Sequence, residues 1–237
     1  MESYKYEVLN HNEITLNRLN EISELFTNSY AVWGKETGDK YMKKIRFSPL
    51  GIQENCLYDN TCKAALAYDG NKLIGHSLFT TIPNENNSSA TGNNDVIFIS
   101  QLVVDKDYRA KNISKELIRK SISDTWSAIG IVTAHPYSVK SLEKTVGIDC
   151  DMKLIAKYAR DLVYRCTIPF IKNSALECTE TQSLINTNFP ADHSEVLEIL
   201  KTLVNNRKWN LNPNLPESYE FFAFVFREQQ KIGKPSL

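Results

Sequence analysis

One segment constrains the fold of this chain most: residues 96–118 combine an apolar strand, a polar turn and an amphipathic helix. The first part, 96–104, is mostly apolar and rich in β-branched residues, which is typical of a buried strand. Residues 105–108 have the composition of a turn, and apolar residues then recur every three to four positions from Ile113. This spacing predicts a helix that begins near Lys111 and packs one face against a sheet.

The junction 109–114 lies at the predicted start of this helix. A helix N-terminus exposes unpaired N–H groups and the positive end of the helix dipole, so it is a common site for a phosphate or pyrophosphate. Arg109 and Lys111 add positive charge there. The same residues also fit an ordinary strand-to-helix turn with surface cations, so the junction alone leaves both interpretations open.

The junction resembles the cofactor motif of the GNAT superfamily of acetyl-CoA-dependent N-acetyltransferases, Arg/Gln-x-x-Gly-x-Gly/Ala between a central strand and a helix. Arg109 matches the first position, whereas Asn112 and Ser114 stand where the family has small residues, glycine first and then glycine or alanine. Asn tolerates left-handed backbone better than most residues, and Ser is small enough for backbone to pass close to a phosphate. The Leu-Val-Val run at 102–104 and the register of the helix also resemble the family.

The order of predicted elements up to Gly147 resembles the same superfamily. The clearest element is a hairpin around Asp69-Gly70-Asn71, because these residues supply the positive φ angles of a tight turn. The resemblance implies an α/β (α+β) fold with a mixed, mostly antiparallel sheet of six to seven strands, splayed central strands and helices on both faces. A polar loop is expected at 83–94. The other predicted strands are 4–9, 64–68, 73–80 and 128–133, and the other predicted helices are 14–33, 41–47 and 138–147.

After Gly147 the chain adds a long segment where a minimal family member would turn back at once. Apolar spacing predicts amphipathic helices at 151–162 and 194–204, and polar composition predicts an irregular stretch at 175–190. The aromatic segment 219–226 is expected to be the last strand, beside strand five. A platform for stacking nucleic-acid bases is the less favoured alternative, since no cations are interleaved.

These elements lead us to expect one GNAT-like domain, 1–237. Within it, a helical insertion at 148–218 precedes the last strand, 219–227.

By the resemblance, acetyl-CoA is the cofactor, and backbone groups of the central strand pair with its pantetheine arm in the gap beside strand five. Amides of the following turn would hold the pyrophosphate, with Arg109 and Lys111 beside it. Ser138 lies where family members contact the end of the pantetheine, although it also suits a helix N-cap. The predicted strand residues are Leu102, Val103 and Val104, and the predicted turn residues are Ala110, Lys111, Asn112, Ile113 and Ser114.

Acetyl transfer to an amine requires a deprotonated nitrogen, a donor to the developing oxyanion and an acid for the departing thiolate. The family's usual acid is a tyrosine four residues before the glycine that ends the fourth helix, and Glu143 occupies that position. A glutamate there is ionised in water. Three alternatives follow: Tyr137 donates the proton, the thiolate leaves without a dedicated acid, or the chain binds acyl-CoA with little catalysis.

The base is a second open position, because Ser100 and Gln101 stand where many relatives carry a glutamate. His135, at the carboxyl end of strand five, has an ordinary pKa close to neutrality and is a candidate for proton transfer. A histidine before proline at a strand end also suits a structural cap. We predict His135 and Tyr137 as the catalytic residues.

The acceptor pocket is expected at the splayed end of the sheet, walled by the first two helices and the insertion. Tyr30 and Trp33 are the predicted substrate-binding walls, with Tyr137 and Trp209 as further candidates, although core packing also explains Tyr30 and Trp33. Aromatic faces suit a cationic amine, which favours a polyamine, amino sugar or aminoglycoside-like acceptor. An insertion that roofs the cleft favours a small molecule, and an open groove favours a protein N-terminus or lysine.

Composition narrows the remaining classes. The chain has 28 basic and 28 acidic residues, so no net field attracts nucleic acid or an anionic membrane. It has no apolar run of eighteen residues and no signal-peptide core, which predicts a cytoplasmic protein with no membrane role. The 5 cysteines form no Cys-x-x-Cys pair, which predicts reduced thiols and no metal site. A monomer or homodimer is expected.

Overall fold

A mixed sheet with a gap between two of its central strands organises this chain. The computed structural model describes residues 4–82 and 95–227, and within them eight strands form one sheet in the order β1-β2-β3-β4-β5-β8-β7-β6. Only β4 and β5 pair in parallel. The strands are β1 (Lys5–Asn10), β2 (Cys62–Asp69), β3 (Lys72–Ile82), β4 (Asp95–Val104), β5 (Trp126–Thr133), β6 (Ala175–Thr179), β7 (Gln182–Asn186) and β8 (Tyr219–Phe226).

Helices cover both faces of the sheet, which confirms the predicted fold class. The apolar side chains of α1 and α2 join one buried cluster, and those of α3, α4 and α5 join another. The helices are α1 (Leu16–Ser29), α2 (Pro49–Cys56), α3 (Ile113–Ser121), α4 (Pro136–Val146), α5 (Met152–Arg165), α6 (Pro169–Lys172) and α7 (Ser194–Asn205).

The predicted hairpin and the predicted last strand are both confirmed. β2 and β3 are joined at Gly70, whose φ of 56° needs the freedom of glycine. β8 pairs antiparallel with β5 from Phe221 to Phe226. Successive side chains of β8 point to opposite faces of the sheet, and all of those from Phe221 to Phe226 are buried. The fourth helix ends at Gly147, with φ of 70°, as expected.

The gap in the sheet begins at a bulge in β4. The register between β3 and β4 shifts at Ser100, whose hydroxyl donates to the carbonyl of Leu78 at 3.1 Å. Pairing between β4 and β5 stops at Ile99 and Ile131. A bulge bends its strand and increases the local twist, so the two strands separate beyond this point as the resemblance implied.

Two local predictions are wrong at the N-terminal side. The helix expected at 14–33 ends at Ser29, and Val32 instead forms a β-bridge with Lys44. Residues 41–47 form no helix. The second helix begins at Pro49, because the Ser48 side chain accepts from the amide of Gly51 and proline suits the first helical position.

The prediction of an irregular stretch at 175–190 is also wrong. Strands β6 and β7 form a hairpin there, and β7 pairs with β8. Leu184 and Ile185 are fully buried on β7, so burial outweighs the polar average of the segment. This hairpin brings the sheet to eight strands where six to seven were expected. The expected loop 83–94 lies outside the described residues.

Candidate active site

A cavity of about 550 Å³ opens where β4 and β5 separate, a volume typical of small-molecule sites. Predicted site residues line it from both sides of the gap. They are Tyr30, Leu102, Val103, Val104, Arg109, Ala110, Asn112, Ile113, Ser114, His135, Tyr137 and Ser138. Lys111 and Trp33 were also predicted but do not line the cavity.

One wall is an open strand edge. β4 pairs with β5 only as far as Ile99, whereas its other edge stays paired with β3 to its end. The amide of Asp105 donates to β3 at 2.9 Å, and successive residues of a strand face opposite sides. By this alternation the backbone groups of Leu102 and Val104 face the cavity and those of Val103 face β3. An extended ligand can add to this edge as another strand would.

The turn between β4 and α3 forms the adjacent wall. Ala110 and Asn112 both adopt left-handed backbone, with φ of 60° and 63°. The first backbone hydrogen bond of α3 runs from the amide of Glu116 to the carbonyl of Asn112, and the Asn112 side chain does not cap the helix. The amides of Ile113 and Ser114 therefore have no helical partner and suit an anion.

Cationic side chains surround this turn. The Arg109 guanidinium donates to the carbonyl of Ser29 at 2.8 Å, which holds it between α1 and the turn. The Nζ atom of Lys111 lies 5.0 Å from the centre of the Tyr108 ring, outside the cavity lining. The other cations that line this side are Lys115, Lys140 and Lys144.

Residues 189–192, here called the strap, close the opposite end. The Gly34 amide donates to the carbonyl of Pro190 at 2.9 Å, and the Asp192 amide donates to the carbonyl of Val32 at 2.9 Å. These two bonds tie the late segment of the chain to the connection between α1 and α2. The predicted insertion therefore forms a wall of the cavity.

Aromatic side chains line this closed end. The Tyr30 ring packs against Phe189, with 6.1 Å between their centres. Trp33 packs against the same ring at 5.6 Å, and Lys40 lies 5.4 Å from the centre of the Trp33 ring. Trp33 thus supports the wall from behind, which corrects its expected place in the lining. Trp209 packs against Phe221, also outside the lining.

Acidic side chains line the closed end as well. Asp192 is half-buried and Glu195 is exposed in the first turn of α7. Glu220, the second residue of β8, is only 7% exposed. Burial raises the pKa of the Glu220 carboxyl to about 7, against smaller opposing effects of the Thr187 hydroxyl and the Ala134 backbone.

A model of the acetyltransferase (GNAT) family matches residues 19–138, which span the first helix, the open strand edge and the start of α4. The chain belongs to the GNAT acetyltransferase family. GNAT enzymes use acetyl-CoA, so this chain is an acetyl-CoA-dependent acetyltransferase.

Three solved structures are among those to which part of this chain is similar. A mosquito arylalkylamine N-acetyltransferase-like protein is 16% identical over 64% of this chain and 87% of its own, with a TM-score of 0.43. An aminoglycoside acetyltransferase from an uncultured soil metagenomic sample is 18% identical, with coverage of 60% and 86% and a TM-score of 0.40. A ribosomal-protein-alanine N-acetyltransferase from Brucella melitensis is 20% identical, with coverage of 54% and 80% and a TM-score of 0.37. A comparison with curated proteins finds no match.

Acetyl-CoA fits the residues of this GNAT enzyme. The open β4 edge offers backbone donors and acceptors to an extended arm that carries amides. After the left-handed turn, the amides of Ile113 and Ser114 have no helical partner and can bind an anion. The surrounding cations complement a pyrophosphate. The first glycine of the family motif is not needed for this turn, because Asn112 adopts the positive φ angle itself.

His135 lies between the two ends of the cavity. Its Nδ1 atom accepts the Tyr137 amide at 3.2 Å, so the neutral ring carries its proton on Nε2. Burial, and then the charge of Arg109, lower its pKa to about 4, while Glu195 acts in the opposite direction. At neutral pH the ring is therefore an N–H donor rather than a base.

The structure places Tyr137 and Ser138 in the first turn of α4. Tyr137 is 54% exposed and its ring lies 5.7 Å from that of His135. Ser138 lines the cavity but does not cap the helix, because His135 occupies the cap position that Ser138 was also suited to.

Glu143, which replaces the family's usual tyrosine, has a structural role. It is 3% exposed, and its Oε1 atom accepts from the Cys150 amide at 2.9 Å and from Asn210 at 3.3 Å. Its other oxygen forms an ion pair with Lys140. The side chain therefore lies outside the main cavity lining and fastens the end of α4 to the segments that follow it.

The β4 position that carries a glutamate in many relatives offers no base here. Gln101 is buried, and its Oε1 atom lies 2.7 Å from Nε2 of His76. Burial lowers the pKa of His76 to about 4, so this histidine is neutral in the core, as expected for a packed histidine.

Sequence reasoning missed the acidic residues of the cavity. Asp192 and Glu195 lie in the predicted insertion, which was expected to wall the acceptor pocket, but no local pattern indicated which of its side chains would line the cavity. Glu220 had one signal, since it is the only charged residue within the aromatic run 219–226.

Two negative findings concern residues 4–82 and 95–227. In that part of the chain no helix has both the length and the apolar character to span a bilayer. The same residues include no cluster of three or more histidine, cysteine or acidic side chains that could hold a metal ion. All five cysteines lie in this part of the chain as free thiols, and all but Cys178 are buried.

Proposed function

We propose that this enzyme transfers the acetyl group of acetyl-CoA to a primary amine of a small cationic molecule, such as a polyamine, an amino sugar or an aminoglycoside-like compound. The observation that carries the proposal is the strap. Its hydrogen bonds to Val32 and Gly34 hold Phe189 and Asp192 in the cavity lining, beside Tyr30. A side-chain wall at this end supports a small acceptor over an extended polypeptide.

Charge at the acceptor end supports a cationic substrate. Asp192, Glu195 and Glu220 line that end, and aromatic rings of Tyr30 and Phe189 stand beside them. An ammonium group gains from both carboxylates and ring faces, and more so where water is displaced. The lysines of the lining, Lys115, Lys140 and Lys144, lie on α3 and α4, where they suit a phosphate.

Each of the predicted residues receives a defined task under this proposal. Acetyl-CoA supplies an activated acetyl thioester. Leu102 and Val104 present backbone groups to its extended arm, and the turn amides bind its pyrophosphate. His135 would offer its Nε2–H to the carbonyl oxygen of the thioester, and Tyr137, whose ring lies 5.7 Å from that of His135, would give a proton to the departing sulfur.

The proposal is tested by a thermal shift with acetyl-CoA, followed by thiol release across polyamines, aminoglycosides, amino sugars, amino acids and lysine peptides. A bound ligand stabilises the folded state, so acetyl-CoA should raise the melting temperature. Thiol release should be fastest with a small multivalent amine. Release with lysine peptides alone would point to a protein acetyltransferase. Acetyl-CoA binding without thiol release from any amine would contradict the proposal and indicate a binding module.

A further inference from the structure

We propose that Glu220 binds the ammonium group of the acceptor and accepts its proton. This inference rests on the proposed function and adds the group that makes the nitrogen nucleophilic. The sequence offered His135 for this task, but its ring is an N–H donor at neutral pH, and Ser100 and Gln101 occupy the position where many relatives carry a glutamate.

The sheet places Glu220 beside the gap. Phe221 pairs with Thr133, the last residue of β5, so Glu220 stands one step beyond the end of that strand. It lines the cavity together with Thr133 and Ala134, while its other neighbour strand pairs it with Ile185. Glu220 therefore lies on a strand of the sheet and not on a loop.

The two buried glutamates, Glu143 and Glu220, differ in whether a cation neutralises them. Glu143 is paired with Lys140 and accepts two hydrogen bonds, from Cys150 and Asn210. Glu220 has no lysine or arginine partner among residues 4–82 and 95–227. Glu220 is 7% exposed, and its interactions with the Thr187 hydroxyl and the Ala134 backbone do not neutralise its charge. A buried carboxylate with no cationic partner is costly to keep charged, and a bound ammonium ion would supply that partner.

The elements packed around Glu220 supply no competing cation close to it. The Tyr30 phenol, at the end of α1, has its pKa raised well above the ordinary value by burial and then by the charge of Glu220, so it stays neutral. From the other elements the titratable or charged groups that line the cavity are Tyr108, Arg109, Lys115, His135, Tyr137, Lys140, Lys144, Asp192, His193 and Glu195. None of these cations is among the groups that shift the pKa of Glu220. Burial lowers the pKa of both histidines, so they too are neutral near pH 7.

The proton affinity of Glu220 suits an amine better than that of an ordinary carboxylate. An alkylammonium group has a pKa of about 10.4 and an ordinary glutamate about 4.3, a gap of about six units. Burial brings Glu220 to about 7 and narrows the gap to about three. His135 is a poorer acceptor, because its Nδ1 atom already accepts an amide proton and its pKa is about 4.

The proposed step balances as follows. The ammonium nitrogen gives one proton to the Glu220 carboxylate and regains a lone pair. That pair forms the bond to the acetyl carbon as the carbon–sulfur bond breaks, and sulfur leaves with the bonding electrons. The nitrogen loses its second proton, sulfur gains one, and Glu220 returns its proton to water.

The experiment compares wild type with Glu220→Gln, which keeps the shape of the neutral acid but cannot titrate. With the best amine from the thiol-release panel, kcat/KM of the wild type should rise with pH through about 7. The variant should lose about 10²- to 10⁴-fold in kcat/KM and lack that limb. Glu195→Gln, an exposed acid of the same lining, is the matched control and should change KM only about two- to fivefold, with the limb kept.

A binding measurement separates this role from turnover. Calorimetry with the same amine and the enzyme saturated with CoA, which has no acetyl group, should give an affinity about tenfold lower at pH 6 than at pH 7.5. Glu220→Gln should bind more weakly without this dependence. If no amine is turned over, cadaverine is the probe, and a lack of pH-dependent binding overturns the proposal.

Failure of the two proposals can be told apart. Wild-type turnover with an unchanged pH limb in Glu220→Gln overturns the role of Glu220 and leaves the proposed function standing. No turnover of any amine by wild type contradicts the proposed function itself. If Glu220→Gln does not fold, Glu220→Asp serves instead: a shortened carboxylate should keep the limb with a reduced rate, and an unchanged rate would count against the proposal.

Discussion

The two ends of the cavity are built in different ways. The end that we assign to the cofactor consists largely of backbone: an open edge of β4 and the amides of Ile113 and Ser114 after a left-handed turn, with cations around them. The acceptor end consists of side chains brought from α1, the strap, α7 and β8. Backbone groups survive replacement of the side chains that carry them, so the cofactor end tolerates a divergent motif. The acceptor end depends on which side chains arrive from distant segments.

The largest expected effect concerns the stability cost of the acceptor end. In the folded chain Glu220 has a pKa of about 7, compared with 4.5 for an ordinary glutamate. The folded state therefore binds this proton more tightly, and stability is lost as pH rises from about 4.5 to about 7. The free energy of unfolding of Glu220→Gln, taken relative to that of the wild type, should therefore be about 3 kcal/mol higher at pH 8 than at pH 4.

Urea unfolding of both proteins at pH 4 and pH 8 measures this difference. If the difference in unfolding free energy between the two proteins does not change with pH, burial does not raise the pKa of the Glu220 carboxyl. Glu195→Gln, on an exposed side chain, should give no such pH dependence.

The next effect tests the backbone of the cofactor end. Asn112→Val places a β-branched residue at φ 63°, which costs about 1–3 kcal/mol and should weaken CoA binding about ten- to a hundredfold. Asn112→Gly adopts the same angle freely and should bind CoA within about threefold of wild type. Calorimetric titration with CoA compares them, and equal affinities for all three proteins would remove the turn from the binding site.

The two ends of the cavity differ in how well the sequence predicts them. Local signals were enough for the hairpin at Gly70, for α3 and for the left-handed Asn112, because each depends on neighbours along the chain. The prediction of a helix at 41–47 was wrong because the N-cap Ser48 and the following Pro49 start the helix just after that segment. The β6–β7 hairpin, Phe189 in the wall and Glu220 in the cavity depend on long-range packing across the gap, which no local pattern encodes.

A smaller effect tests the opposite charges of the two ends. Lys115→Gln and Lys144→Gln should each raise the Kd for CoA about two- to fivefold, and leave the KM of the amine unchanged. Asp192→Asn should do the reverse. Both effects should shrink in 0.5 M salt, because the side chains are at least partly in water. A cofactor effect from Asp192→Asn would show that the two ends are not separate.

The smallest effect tests the strap. A Cβ atom at Gly34 would lie 3.1 Å from the carbonyl oxygen of Ala191 and 3.2 Å from that of Pro190. Gly34→Ala should therefore displace the strap slightly and raise the amine KM about twofold, with CoA affinity unchanged. Lys35→Ala removes an exposed side chain in the same connection and should leave the amine KM unchanged.

Hydrogen–deuterium exchange with and without CoA, and then with CoA plus amine, tests the division of the cavity most directly. CoA alone should slow exchange at 102–104 and 110–115 and leave 189–195 unchanged. The amine should then slow exchange at 189–195 and around Glu220. Protection of 189–195 by CoA alone, or none at 102–104 and 110–115, would contradict the assignment of a backbone-built cofactor end and a side-chain-built acceptor end.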